Sequence, residues 1–200
     1  LGDFTADGAQ NRLTGAIFRN FKVIQSGTAG QGVGIFGRTL RRSLVENIQI
    51  INFLDGLVLN TVSDFNRINA VTITGSGSRG VAIATTANSG AAYTFGDGNG
   101  NCNGNVFTGL DVQRDSNGRT GGGNGITIEN VAEGTVIRDS RFHFFSTSPQ
   151  SAIWLGAARN TTIDGNYFED NYRTIYIYGM ASYGGGGPVT ISNNYISKMQ

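Results

Sequence analysis

The chain has 200 residues, 14% charged residues and a formal net charge of +1, so its composition gives no electrostatic support for binding nucleic acid or an anionic membrane. Its 31 glycines follow no three-residue period, which excludes collagen and predicts many tight turns between short strands. The single cysteine, Cys102, excludes an internal disulfide bond and a cysteine metal cluster, and no run of about 18 apolar residues predicts a transmembrane helix.

The first predicted element is a unit that reads apolar, any, small or polar, any, any, apolar. Copies of it start at Phe18, Val45, Ile68, Phe107, Ile137, Ile163 and Ile191. The third position is mostly Asn, Gly or Asp, which are residue types that cap a bend or tolerate a left-handed backbone. The fourth position is polar in the late copies (Ser140, Asn166 and Asn194), so we expect inward asparagines that hydrogen-bond to one another in a ladder.

A second unit, which reads apolar, any, apolar, follows each of the first six copies. Alternation with a period of two predicts strands whose apolar members face one side. The copies of this second unit are residues 33–35, 57–59, 81–83, 126–128, 153–155 and 175–177.

Neither kind of strand can bury its apolar face alone, but stacking successive copies at about 4.8 Å aligns like positions and builds a continuous core. We therefore predict an all-β fold, namely a right-handed parallel β-helix (a single-stranded solenoid) of about seven coils. Residues 1–200 are expected to form a single domain of a longer chain. An immunoglobulin-like sandwich also predicts frequent turns, but it does not predict two units that recur in the same order.

Aromatic side chains at the outward positions of the second unit are the first candidates for ligand binding. Trp154 and Tyr176 are the outward centres of consecutive copies, and Tyr178 is the next outward residue, so we expect neighbouring rings on an exposed face. Flat rings that combine an apolar face with a polar tip suit a sugar ring, so this column predicts a saccharide platform. The alternative is that a protruding loop or a neighbouring subunit covers the rings.

The fifth position of the first unit forms another outward column. In this column Arg141 and Tyr167 are further candidates for contact with a polysaccharide. Asp111 precedes Arg141 in the column, so we expect an ion pair between the two, although an exposed pair contributes only about 0–1 kcal/mol.

Four carboxyl groups near the aromatic column are candidates for catalysis. Glycoside hydrolysis needs two carboxyl groups, and β-elimination of a uronate needs a base near the proton that leaves and a cation at the uronate carboxyl group. Glu129 lies beside the column, and Asp164, Glu169 and Asp170 lie one predicted coil further on. The alternative for each carboxyl group is that it is a solvated surface charge without a catalytic role.

Metal and histidine chemistry have weaker support. Residues 97–101 (Asp-Gly-Asn-Gly-Asn) space oxygen atoms as some calcium loops do, but the distal Glu of an EF-hand is missing, so we interpret them as a loop tip. The only histidine, His143, follows a predicted strand and is expected to have a surface or packing role. The sequence therefore predicts neither a metal site nor a cofactor.

The copies that start at Ile163 (Ile-Asp-Gly-Asn-Tyr-Phe) and Ile191 (Ile-Ser-Asn-Asn-Tyr-Ile) resemble the repeats of the pectate-lyase-like superfamily. That superfamily includes pectate lyases, polygalacturonases, alginate lyases and epimerases, and bacteriophage tailspikes. The Asn-Thr-Asp, Asp-Asp and Gly-His-Gly motifs of polygalacturonases are absent, as are the Asp-Pro-His of the epimerases and the Trp-Ile-Asp-His of pectate lyases. The composition, rich in Gly, Asn, Ser and Thr and poor in lysine, is most similar to that of tailspikes.

This resemblance implies a tailspike-type protein that binds and cleaves bacterial surface polysaccharide, either as a glycosidase or as a lyase. It also implies a homotrimer located outside the cell or on a phage tail, without insertion into a membrane. The alternative is a non-enzymatic adhesion or structural shaft module of a phage or cell-surface protein.

Overall fold

The computed structural model describes residues 13–26, 31–60, 63–83, 102–114, 123–129, 132–146, 149–156, 158–178 and 186–198. Within these ranges the regular secondary structure consists of strands, and every strand pairing is parallel. None of the described residues belongs to a helix that is long and apolar enough to cross a membrane.

The strands, in chain order, are β1 (Leu13–Thr14), β2 (Ile17–Ile24), β3 (Gln31–Arg38), β4 (Leu40–Arg41), β5 (Leu44–Ile51), β6 (Phe53–Asn60), β7 (Arg67–Thr74), β8 (Arg79–Ile83), β9 (Val106–Thr108), β10 (Asp111–Gln113), β11 (Asn124–Ile128), β12 (Val136–Arg138), β13 (Arg141–His143), β14 (Ser151–Gly156), β15 (Thr161–Asp164), β16 (Tyr167–Glu169), β17 (Arg173–Tyr178), β18 (Val189–Ser192) and β19 (Tyr195–Ser197). The small sheet has six strands, in the order β17-β14-β11-β8-β6-β3. The large sheet has 11 strands and contains the copies of the first unit, and β1 and β4 form a separate pair.

The register of the large sheet confirms the order of the first unit. Its first residues are opposite one another in chain order: Phe18 and Val45, Val45 and Ile68, Ile68 and Phe107, Phe107 and Ile137, Ile137 and Ile163, Ile163 and Ile191. Each copy therefore lies beside the next copy in the sequence, as the repeat predicts.

The third position of the first unit is a left-handed bend in every copy. The φ angles are 61° at Asn20, 50° at Asn47, 49° at Ala70, 63° at Gly109, 51° at Asp139, 64° at Gly165 and 53° at Asn193. In the later copies this bend separates two short strands, such as β9 and β10, which in the early copies are one continuous strand. The prediction of a bend at this position is confirmed, and Ala70 occupies it against its own preference.

Buried amides form two ladders that run from strand to strand. Asn166 donates from Nδ2 to Oδ1 of Asn194 at 3.0 Å, which confirms the predicted ladder. A second ladder, which the repeat did not predict, joins Asn66 Nδ2 to Asn105 Oδ1 at 3.0 Å. These bonds satisfy polar groups that burial would otherwise leave unpaired at a cost of about 1–3 kcal/mol each.

The apolar core is formed by both sheets. It contains Phe107, Phe142 and Phe168 of the large sheet and Leu57 and Ile83 of the small sheet, all fully buried. The rings of Phe142 and Phe168 stack with their centroids 5.4 Å apart. Burial of each such side chain stabilises the fold by about 1.5–3 kcal/mol.

The first copy of the second unit was predicted at residues 33–35, and this is wrong by two residues. Ile35 is opposite Leu57 and Phe36 is opposite Val58, so the aligned copy is residues 35–37. The chain passes close to the core just before this copy, because a Cβ on Gly34 would collide with Ile50 Cγ2. The other five copies pair as predicted.

Candidate functional site

The outer face of the small sheet carries a cluster of aromatic side chains. Ile153 and Leu155, which flank Trp154, belong to the core, so Trp154 between them points away from it. This outward row reads Phe36, Val58, Ala82, Thr127, Trp154 and Tyr176. Its central residues are buried, whereas Trp154 and Tyr176 are only half-buried. We call Trp154, Tyr172, Arg173, Tyr176 and Tyr178 the aromatic patch.

Three rings of the aromatic patch lie side by side. Trp154 is directly opposite Tyr176 on the neighbouring strand. The Tyr178 ring centroid lies 6.3 Å from that of Trp154 at 27°, and also 6.3 Å from that of Tyr176 at 15°. Tyr178 is 47% exposed. The predicted adjacency of these rings is confirmed.

The Trp154 indole packs against the backbone of Gly156. Gly156 is opposite Tyr178 in the register, and the two residues share the outward side with Trp154. A Cβ added to Gly156 would collide with Cη2 and Cζ3 of the indole. The six-membered ring of Trp154 therefore lies directly on the backbone of Gly156, in a position that any larger residue would block.

Arg173 joins the patch from the start of β17. Its guanidinium carbon lies 4.7 Å from the Tyr176 ring centroid and 5.5 Å from that of Tyr172. Such distances are within the range of cation–π contacts. Sequence reasoning missed Arg173 and Tyr172, because the alternating pattern starts at Ile175 and does not show that the chain brings Arg173 to the side of Tyr176.

Glu129 lies beside the patch, one residue beyond β11. Its backbone N–H donates to the carbonyl oxygen of Ile83 at 3.1 Å, so the pairing of the strands continues to this residue. Burial raises the pKa of the Glu129 carboxyl group, and the positive charge of Arg79 offsets part of this effect. A carboxyl group with a raised pKa keeps its proton closer to neutral pH, as a general acid requires.

Arg79 is itself held by a buried bidentate ion pair on the small sheet. Its Nε and Nη2 donate to the two carboxylate oxygens of Asp55 at 2.9 and 2.8 Å. The side chain of Asp55 is fully buried, and that of Arg79 is 5% exposed.

The other predicted ligand-binding residues, Arg141 and Tyr167, meet on the large sheet. The Arg141 guanidinium carbon lies 5.4 Å from the Tyr167 ring centroid, and Tyr167 stacks on Tyr195 at 5.2 Å and 10°. The Tyr167 ring therefore already contacts a guanidinium and a second ring, which reduces the ring area left for a sugar. Arg141 donates to Glu169 Oε2 at 2.9 Å rather than to Asp111, so the expected Asp111–Arg141 ion pair is wrong although the two residues are in register.

Asp111 instead contacts His143. The Nε2 atom of His143 lies 2.7 Å from Asp111 Oδ1, and the histidine side chain is only 8% exposed. Burial of this kind agrees with the packing role expected for His143. The predicted loop tip at residues 97–101 lies outside the described residues, and the described part of the chain contains no group of three His, Cys, Asp or Glu side chains that could hold a metal ion.

The remaining catalytic candidates lie on the large sheet or next to it, and Glu129 is on the small sheet. A hydrogen bond from Arg141 lowers the pKa of Glu169, and hydrogen bonds from Ser192 and Asn193 lower that of Asp164. Both groups therefore remain ionised at neutral pH and are poorly suited to donate a proton. Asp170 is a bend residue with a φ of 52°. No described hydrogen bond or ion pair joins any of the three to Glu129.

The fold of this chain is similar to that of a solved carbohydrate-active module. No protein-family model matches the chain, and no curated protein matches its sequence. The A-module of mannuronan C-5 epimerase AlgE6 from Azotobacter vinelandii is similar, with a TM-score of 0.54 and 11% identity over 94% of this chain. The match spans 59% of the length of that module. At this identity the similarity shows the fold alone, which is an all-β arrangement of parallel strands of the β-helix type.

Proposed function

We propose that the protein is a carbohydrate-active β-helix that binds polysaccharide on the outer face of the small sheet. The observation that carries the proposal is the group of three neighbouring rings, Trp154, Tyr176 and Tyr178, on adjacent parallel strands. Rings that are partly exposed and held by the sheet offer apolar area and phenol donors together. The fold that the chain shares with a mannuronan epimerase module supports a carbohydrate ligand.

The same proposal includes the number and handedness of the coils, the extent of the domain, its location and its oligomeric state. The strands follow one another as about seven coils of a right-handed solenoid, because parallel strands in one sheet are almost always connected with that hand. Residues 1–200 form a single domain of a tailspike-type protein, located outside the cell or on a phage tail. The chain assembles as a homotrimer, without nucleic acid or membrane as a partner. Light scattering tests the assembly: the expected mass is three times 21.2 kDa for this chain, and a monomer contradicts it.

Cleavage of the bound polysaccharide would use Glu129 as the acid. In hydrolysis, Glu129 gives its proton to the leaving glycosidic oxygen as the C–O bond breaks. Water then adds its hydroxyl group to the anomeric carbon and returns its remaining proton to the Glu129 carboxylate. Glu129→Gln keeps the size of the side chain and removes the proton. We expect this variant to bind polysaccharide and to lose turnover, measured as new reducing ends and as absorbance of unsaturated uronates. Full activity of Glu129→Gln would contradict the assignment.

A non-enzymatic adhesion or shaft module is the second candidate. The observation that favours it is the position of the other carboxyl candidates: Asp164 and Glu169 lie in the large sheet, away from the strand that leads to Glu129. Hydrolysis requires a second carboxyl group near the first. This candidate predicts binding without turnover on every member of a polysaccharide panel.

The binding experiment compares two aromatic truncations on different sheets. Trp154→Ala removes the centre of the aromatic patch, and Tyr195→Ala removes a 61% exposed ring of the large sheet. Affinity electrophoresis in gels that contain each polysaccharide of a panel measures retardation. We expect Trp154→Ala to lose most of the retardation and Tyr195→Ala to keep it. Equal retardation of Trp154→Ala and the unchanged protein would overturn the proposal.

A further inference from the structure

We propose that Arg173 makes the aromatic patch selective for polysaccharides that carry acidic groups, either carboxylates or sulfate esters. This inference rests on the proposed function, because it assigns a ligand class to the same face of the small sheet. It adds a specificity-determining residue that the repeat pattern did not identify.

Within the residues that the structure describes, the guanidinium of Arg173 contacts aromatic rings and has no anionic partner. Among the residues that the structure describes, Arg79 and Arg141 each have a carboxylate within 2.9 Å, and Arg41 has one at 3.4 Å. The contacts of Arg173 within the described part of the chain are those with the rings of Tyr172 and Tyr176. A half-buried cation without a carboxylate partner is therefore present at the edge of the patch.

The ring contacts leave the donors of Arg173 in place for a ligand. A guanidinium carries its five N–H donors in its own plane, so a ring against its face does not occupy them. Contact with two rings also restricts the side chain before any ligand arrives, which reduces the entropy lost on binding. The planar fork matches the two oxygens of a carboxylate or sulfate group, and charged hydrogen bonds of this kind are about twice as strong as neutral ones.

The position of Arg173 connects its donors to the sugar-binding rings. Tyr176 contacts the guanidinium and also lies 6.3 Å from Tyr178, which in turn neighbours Trp154. A saccharide on these rings therefore lies next to the guanidinium.

The test uses the full chain and a panel of neutral, uronate-containing and sulfated polysaccharides. Trp154 is the only tryptophan of the chain, so quenching of tryptophan fluorescence reports binding at the patch itself. We expect the members that bind to be acidic. Reduction of their uronate carboxyl groups to alcohols, or removal of their sulfate esters, distinguishes the two anion sources and should weaken binding about 10-fold or more.

The variants assign this selectivity to one residue. Arg173→Gln should weaken binding of the acidic members about 10-fold and bring it close to that of the chemically neutralised polymer. Arg173→Lys keeps the charge without the planar fork and should fall between the two. Arg19→Gln, an exposed arginine of the large sheet, makes the same change of charge and should leave binding unchanged. Circular dichroism and thermal melting confirm that each variant is folded.

Each outcome decides between the two proposals. Binding of neutral members at full strength, or unchanged binding of acidic members by Arg173→Gln, overturns the role of Arg173 and leaves polysaccharide binding intact. Absence of binding to every member overturns the proposed function and this inference together.

Discussion

Replacement of Gly156 by alanine is expected to disable the aromatic patch without removing any ring from it. The added methyl group would occupy the space of Cη2 and Cζ3 of Trp154, so the indole has to move away from residue 156. The backbone of Gly156 does not require glycine, because its φ is not in the positive range. Since the indole is half-buried and can rotate outward, we expect the free energy of unfolding to fall by only about 1 kcal/mol, the lower end for overpacking.

Gly156→Ala should also weaken polysaccharide binding. A correctly placed aromatic contact contributes about 0.5–1.5 kcal/mol beyond the area that it buries, so misplacement of Trp154 should weaken polysaccharide binding up to about 10-fold. The assay is the fluorescence of the single tryptophan. Its emission should shift to longer wavelength, and acrylamide should quench it more strongly because the indole is more exposed. Gly186→Ala is the matched control, because the nearest atom to its added Cβ is Ala158 O at 3.6 Å. Unchanged emission and affinity in Gly156→Ala would refute the reasoning.

Three further predictions concern stability. Ala70→Gly should raise the free energy of unfolding, measured in urea, by about 0.5–1 kcal/mol, because the φ of Ala70 is 49°. Gly109→Ala, at a φ of 63°, should lower it by a similar amount. A lower free energy of unfolding in Ala70→Gly would contradict this. Asp55→Ala removes the buried carboxylate that accepts two hydrogen bonds from Arg79 and should cost about 3–5 kcal/mol; a change below about 1 kcal/mol would show that the pair is solvated. The pKa of Glu129 is raised above 4.5 on folding, so the folded state binds more protons, and stability should fall as the pH rises through 4.5 towards the folded pKa. Urea titrations at several pH values should therefore show a smaller fall in Glu129→Gln, and an identical pH profile would refute this.

The order of the strands could be predicted from the sequence because the positions that have to be buried are apolar and recur at a fixed place in each copy. The copies that start at Val45, Ile68, Phe107, Ile137 and Ile163 place their first apolar residue in the core, and the bend of every copy has a positive φ. Ala70 is an exception to the residue types expected at the bend, because alanine disfavours a positive φ and the pairing with neighbouring copies imposes one. The two-residue error at residues 33–35 arose because Val33 and Ile35 satisfy the alternating pattern, whereas the register places Ile35 opposite Leu57.

The aromatic patch was only partly accessible from the sequence. The period of two placed Trp154 and Tyr176 on one outward row, and the register confirmed it. Arg173 precedes the alternating segment, so its contact with Tyr176 depends on the path of the backbone before Ile175, which no period describes. The role of Gly156 depends in the same way on the rotamer of Trp154. Contacts of this kind arise from side-chain directions, and a pattern of apolar residues does not contain them.

The most direct test of the account is a comparison of Trp154→Ala with Tyr195→Ala across the polysaccharide panel. Both substitutions remove one partly exposed ring, but from different sheets. We expect Trp154→Ala to lose retardation in affinity electrophoresis and Tyr195→Ala to retain it. Retained binding in Trp154→Ala together with lost binding in Tyr195→Ala would place the site on the large sheet and contradict the account.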